Sequence, residues 1–199
     1  MLSHALSPQS HPAAWRLPRL AAAVVVLALL AAGAARAEDV KPVLPEIRLN
    51  VAEMQVIPAY ASPRRPPHAE HRMKASPQNV AVAWGQSKVR AVGRADRARV
   101  IILEGSVVEV PVKGKSGFLR RGPDRRYDAR LTISVEIRTD AGDLIGQVRA
   151  TATRSQEVLK GVGGERLQRI WRDLSERLVS DCANEVARQL QARLGRYVR

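Results

Sequence analysis

His68-Ala69-Glu70-His71 puts two imidazoles and a carboxylate within four residues, the one stretch with the residue types of a metal site. Zinc takes His nitrogen and carboxylate oxygen in a tetrahedral shell, so a metal-dependent hydrolase built on His68, Glu70 and His71 is one reading. The helical form of that chemistry needs two histidines one turn apart with the glutamate between them. Here the stretch follows Pro66-Pro67 inside residues 58–77, which hold five prolines, and prolines at that density exclude a helix. The simpler expectation is a loop whose His and Glu side chains hydrogen-bond to the fold, with no metal and no cofactor.

Residues 113–126 suggest a different chemistry. Lys113, Lys115, Arg120, Arg121, Arg125 and Arg126 oppose one acid, Asp124, and Phe118-Leu119 forms an apolar pair at the centre. Gly114-Lys115-Ser116 resembles the end of a phosphate loop. The first glycine of that motif is missing at its spacing and no helix follows, which excludes nucleotide binding. A basic loop with an apolar tip can dock on an anionic membrane surface, each cation contributing about 1 kcal/mol. The same charges suit lipid phosphates or an acidic protein. The plainer alternative is a solvated hairpin tip.

Nucleophilic catalysis finds little to work with. The single cysteine, Cys182, falls on the apolar side of a predicted helix, where a thiol packs as a small hydrophobe. All four histidines are distant from it in sequence. There is no nucleophile elbow, charge relay or carboxylate pair in a cleft motif. Asp128 and Glu136 share a strand face with Arg130 and Arg138, which predicts cross-strand charge pairing. The chain reads as a non-enzyme.

The elements that must position these groups follow from periodicity. Ile47, Leu49 and Val51 alternate with polar residues as a half-buried strand does, and the parity shifts near Glu53. Ser76-Pro77 opens a helix, serine at the N-cap and proline at the first turn. It is expected to run to Val92 and stop at Gly93, with Val82, Gly85, Val89 and Val92 as its stripe and Trp84 on the flank. Arg99 to Val112 is a second strand with a bulge expected at Gly105. Tyr127 to Arg138 alternates without error. Asp140-Ala141-Gly142-Asp143 turns into a fourth strand, where Gly146, Val148, Ala150 and Ala152 would admit a close helix.

A final helix, from about Glu165 to Tyr197, carries two apolar directions. Leu167, Ile170, Trp171, Leu174 and Leu178 mark one. Val179, Cys182, Ala183, Val186, Leu190, Leu194 and Tyr197 mark another, about 120° away. The helix bends, packs on the first helix, or meets a partner through Val186, Leu190 and Leu194. The predicted order is β-α-β-β-β-α: an α+β fold with a four-stranded antiparallel sheet and both helices on one face.

Residues 1–37 have the pattern of a cleavable export signal. Arg16 and Arg19 precede 13 apolar residues, Leu20 to Ala32, and Ala35-Arg36-Ala37 ends in small residues before Glu38. The apolar run falls short of the ~20 residues a spanning helix needs. Cleavage between Ala37 and Glu38 takes three arginines and no acid from a chain of net charge +14, leaving +11 on residues 38–199. Such a charge favours acidic partners, either an envelope protein or an anionic lipid surface, and export argues against nucleic acid.

The order of elements resembles that of two small envelope proteins: the auxiliary lipoproteins of ABC-type transport systems and the lipopolysaccharide-assembly lipoprotein. Locally, Pro67-His68-Ala69-Glu70-His71, the stretch from Trp84 through Val89-Arg90-Ala91-Val92-Gly93, and Arg126-Tyr127-Asp128-Ala129-Arg130 resemble an uncharacterised group of alphaproteobacterial exported proteins. The lipoprotein resemblance implies a helix pair on a sheet behind an export signal. It does not bring the lipid anchor, because Glu38 stands where those proteins carry a cysteine. The expected role is that of a periplasmic accessory or binding protein of the envelope, with a self-associating structural protein as the alternative. Ligand, pathway and oligomeric state stay open at this point.

Overall fold

The computed structural model describes residues 42–112 and 122–199. The predicted export signal and its cleavage point at Ala37 and Glu38 lie outside them, as do Lys113, Lys115, Phe118, Leu119, Arg120 and Arg121.

The fold is α+β. In chain order the elements are β1 (Ile47–Leu49), β2 (Glu53–Pro58), α1 (Pro77–Lys88), β3 (Val89–Ala91), β4 (Arg97–Pro111), β5 (Pro123–Arg138), β6 (Leu144–Leu159) and α2 (Gly164–Leu194). One-turn 3-10 helices at Glu70–Arg72 and Gly195–Tyr197 complete it. The main sheet has the order β2-β4-β5-β6, and β1 pairs with β3 in a separate small sheet.

The sheet is mixed where an antiparallel one was expected, because β2 runs parallel to β4. The connection explains this: β2 reaches β4 through a helix on one face, and such a crossover returns the chain in its original direction. The parity shift near Glu53 also gains a cause. It marks the point where the chain leaves the small sheet for the large one, with the Ala52 N–H bonded to the carbonyls of Ala95 and Asp96.

α1 begins as expected, with Ser76 accepting the Asn79 N–H at 3.3 Å. It stops at Lys88 rather than Val92, because Val89 and Ala91 pair with Ile47 and Leu49. Its buried positions are Pro77, Ala81, Trp84 and Gly85, so Trp84 anchors the helix instead of flanking it, and its indole donates to the Pro45 carbonyl at 3.0 Å. The irregularity in β4 falls between Ile102 and Glu104 rather than at Gly105. Gly105 is small for another reason: a β-carbon there would stand 3.0 Å from Gln78 Cβ at the start of α1.

β4, β5 and β6 form long antiparallel pairs whose inner face carries Val100, Ile102, Leu131, Ile133, Val135, Val148 and Ala150, all buried. Both helices cover this face. Gly85 brings α1 onto Val56 and Val100, and Gly146 brings α2 onto β6, where a β-carbon would meet Leu194 Cδ2 at 2.6 Å. Trp171 of α2 meets Tyr127 edge-on, 5.3 Å between ring centroids.

Both apolar directions of α2 are buried within the chain. Val186 and Leu190 are enclosed at 0% and 1% exposure, and Leu194 packs on the core at Gly146. This corrects the expectation that the three offer a face to a partner. The sheet covers one side of α2, and irregular segments cover another: Ser175 donates to the Ala75 carbonyl and Ser180 to that of Val43. Among the described residues no helix is long and apolar enough to cross a membrane.

Candidate functional site

The proline-rich segment is sewn to the sheet. The Ala69 N–H donates to the Val107 carbonyl, and the Glu109 N–H to the Pro67 carbonyl, both at 2.8 Å. His68 thereby bridges Val108 in antiparallel register. β2 ends opposite Ile102, so this short piece takes the edge of β4 that β2 has left. Backbone groups that would otherwise lack partners are satisfied there.

That stitching turns Glu70 inward, to 4% exposure. One carboxylate oxygen accepts from the Tyr60 hydroxyl and the Ser62 hydroxyl, both at 2.8 Å, and the other from the Val107 N–H at 3.1 Å. Burial pushes the Glu70 carboxyl upward. Hydrogen bonds from its own backbone N–H, Ser62, Tyr60 and Val107 outweigh this, and the net shift is downward. Tyr60 is raised in turn, by burial and by the Glu70 charge. Glu70 is thus an ionised acceptor with its lone pairs in use, a poor proton donor and a poor metal ligand.

His68, Glu70 and His71 do not converge on a point. His68 Nδ1 stands 3.3 Å from Glu70, while His71 is exposed on the rim of a cleft of about 600 Å³ between the loop and the start of α1. No group of three metal-binding side chains is assembled among the described residues. The arrangement ties a loop to a strand, and the metal-dependent hydrolase reading loses its site. Loop composition contained no periodic signal that could have shown Glu70 pointing inward.

Cys182 is fully buried, its sulfur 3.6 Å from the Ala150 carbonyl oxygen, and burial pushes the thiol up to about 12. A group so rarely ionised is no nucleophile at neutral pH.

The basic run falls in the connection between β4 and β5, two strands paired as far as Pro111 opposite Arg125, and its residues 113–121 lie outside the described ones. Arg125 itself belongs to the hairpin root. It lies in β5, half-buried, beside Asp124 at 3.5 Å and Glu109 at 4.0 Å, and it donates to the Val162 carbonyl. It locks the root to the turn after β6, and its charge is less available than the expectation of a free loop arginine implied.

The outer face of the sheet is a charge ladder. Arg126 holds Asp128 through two bonds of 2.7 and 2.8 Å, and Arg138 donates to Glu136 at 2.8 Å. Arg130 reaches Glu104 on the neighbouring strand at 3.1 Å. Two of the three pairs therefore run along one strand, two residues apart, and one crosses strands. The Arg126 guanidinium keeps the Asp128 carboxyl below the usual carboxylate range. These acids neutralise arginines and leave no carboxylate pair for acid–base work.

Neither a family model nor a curated protein matches the sequence. Among solved structures, the chain is similar to a minor lipoprotein from Acinetobacter baumannii at a TM-score of 0.38 and 18% identity, over 72% of this chain and 93% of that one. It is also similar to the rare lipoprotein B from Shewanella oneidensis at a TM-score of 0.38 and 8% identity, over 72% and 98%. Likenesses of this size carry no inference about function.

Proposed function

We propose that the chain is an exported protein of the cell envelope, working in the periplasm once residues 1–37 are removed. It acts by contact with an envelope protein or an anionic lipid surface, and not by catalysis. The observation that carries this reading is where charge is spent. The sheet's acids are paired with neighbouring arginines, whereas the run from Lys113 to Arg121 holds four cations and an apolar pair without an acid: Lys113, Lys115, Arg120 and Arg121 are the charges, and Phe118-Leu119 the apolar tip.

The test is vesicle co-sedimentation of the purified exported protein at low salt, alongside recovery of co-purifying envelope proteins. Replacing Phe118, Arg120 and Arg121 together lowers one or both. If neither changes, the hairpin is a solvated tip and the reading fails.

A further inference from the structure

Arg48, Arg90 and Arg199 stand side by side across three strands. Arg48 lies opposite Arg90 in the parallel pair of β1 and β3. On the other side of β1, Leu49 bridges Val198 in antiparallel register, with the Arg199 N–H donating to the Arg48 carbonyl at 2.9 Å and the Asn50 N–H to that of Tyr197 at 2.8 Å. That register places Arg199 directly across from Arg48. Residues aligned across strands share a face, so the three guanidinium groups leave the same side of this small sheet, with adjacent backbones about 4.8 Å apart. All three are exposed, while Leu49 beneath is fully buried.

Like charges directly opposite one another oppose folding. Among the described residues neither Arg48 nor Arg90 has an ion-pair partner. The Arg199 guanidinium donates to the neutral Asn50 side chain, at 2.9 Å. The nearest acid in the adjoining cleft, Asp96, already accepts from the Tyr197 hydroxyl at 3.0 Å. That cleft adds Arg94 and Arg196 to the same end of the molecule. Arginine is the side chain best matched to phosphate oxygens, through its planar fork of donors. Exposed and in register, the row can meet several phosphates presented side by side.

We propose that this arginine row docks on the phosphate headgroups of an anionic lipid layer. The inference deepens the contact-based reading of function and is separable from it in space. The row adjoins the Arg97 end of β4, the basic hairpin follows the Pro111 end, and the 15 residues of β4 span about 50 Å.

The experiment compares phosphatidylcholine vesicles with and without phosphatidylglycerol, at low salt. The variants are Arg48→Gln with Arg90→Gln, the hairpin triple Phe118→Ser, Arg120→Gln, Arg121→Gln, and the two sets combined. The hairpin variant is expected to keep part of its phosphatidylglycerol-dependent binding. Adding the two glutamines then weakens that remainder about thirty-fold, roughly fivefold for each arginine withdrawn from the surface. Thermal unfolding of the Arg48→Gln, Arg90→Gln protein is expected to be unchanged or raised, which separates lost docking from lost folding. If the glutamines change nothing in the hairpin-variant background, the row has no such role and the hairpin reading is untouched. If the hairpin variant matches the unaltered protein while the glutamines weaken binding, the hairpin reading fails and the row stands. Absence of phosphatidylglycerol-dependent binding by the unaltered protein, or a response to inorganic phosphate without vesicle binding, overturns the proposal.

Discussion

Gly93 lies against the backbone of Asn50 so closely that a β-carbon on it would stand 2.5 Å from the Asn50 carbonyl carbon. The contact occurs where the chain passes from the small sheet to the large one, and the Gly93 N–H donates to the Val51 carbonyl at 2.8 Å. Backbone cannot move aside as a side chain can. Gly93→Ala is expected to destabilise the protein by about 1–3 kcal/mol, read as a lower urea midpoint. Gly122→Ala, where a β-carbon meets nothing within 4 Å, serves as the control and leaves the midpoint in place.

Glu70→Gln removes a charge that accepts bonds from Tyr60, Ser62 and Val107. Hydrogen bonds to charged groups contribute about 1.5–3 kcal/mol each, so a loss of at least about 2 kcal/mol is expected at pH 7. The sign with pH follows from the lowered folded-state value. A carboxyl held below its ordinary 4.5 contributes stability that is fully present above that pH and is lost as pH falls below it. Urea midpoints between pH 3 and pH 7 are expected to converge for the two proteins at the acid end. Curves that stay parallel would show that Glu70 is not the titrating group.

Because both oxygens of Glu70 are engaged, zinc gains little at His68 and His71. Neither a chelator nor added zinc is expected to shift the melting temperature, and elemental analysis of the purified protein is expected to show no stoichiometric zinc. A tightly held equivalent would restore the hydrolase reading.

Cys182 offers a readout of core integrity. With the thiol buried and its ionisation pushed up to about 12, a thiol reagent at pH 8 is expected to leave the folded protein unlabelled and to modify one cysteine in urea. Labelling of the folded protein at the rate of a free thiol would mean that α2 opens from the sheet.

The parts of the fold legible in the sequence were those where one face is buried over a long run. Tyr127 to Ile137 alternates because every second residue enters the core, and Gly146 marked the close approach of α2. Periodicity gives a direction without naming what fills it, and so Val186 and Leu190 read as a face for a partner. The segments that help enclose α2, around Val43 and Ala75, are irregular and have no pattern to detect. The parallel pairing of β2 was hidden for a related reason: the parity shift near Glu53 did not show a second strand beginning there, and alternation says nothing about direction. At the candidate sites, the basic hairpin was visible as composition. The arginine row was not, since Arg48, Arg90 and Arg199 are distant in sequence and meet only through register.

The self-neutralising ladder on the outer face has a consequence for how the molecule orients. Arg126, Arg130 and Arg138 cancel against Asp128, Glu104 and Glu136 on that face, whereas among the described residues Arg48 and Arg90 have no ion-pair partner at the small sheet. The pull of a surface of opposite sign is therefore stronger on the small sheet than on the ladder, and it turns the molecule to present the small sheet first.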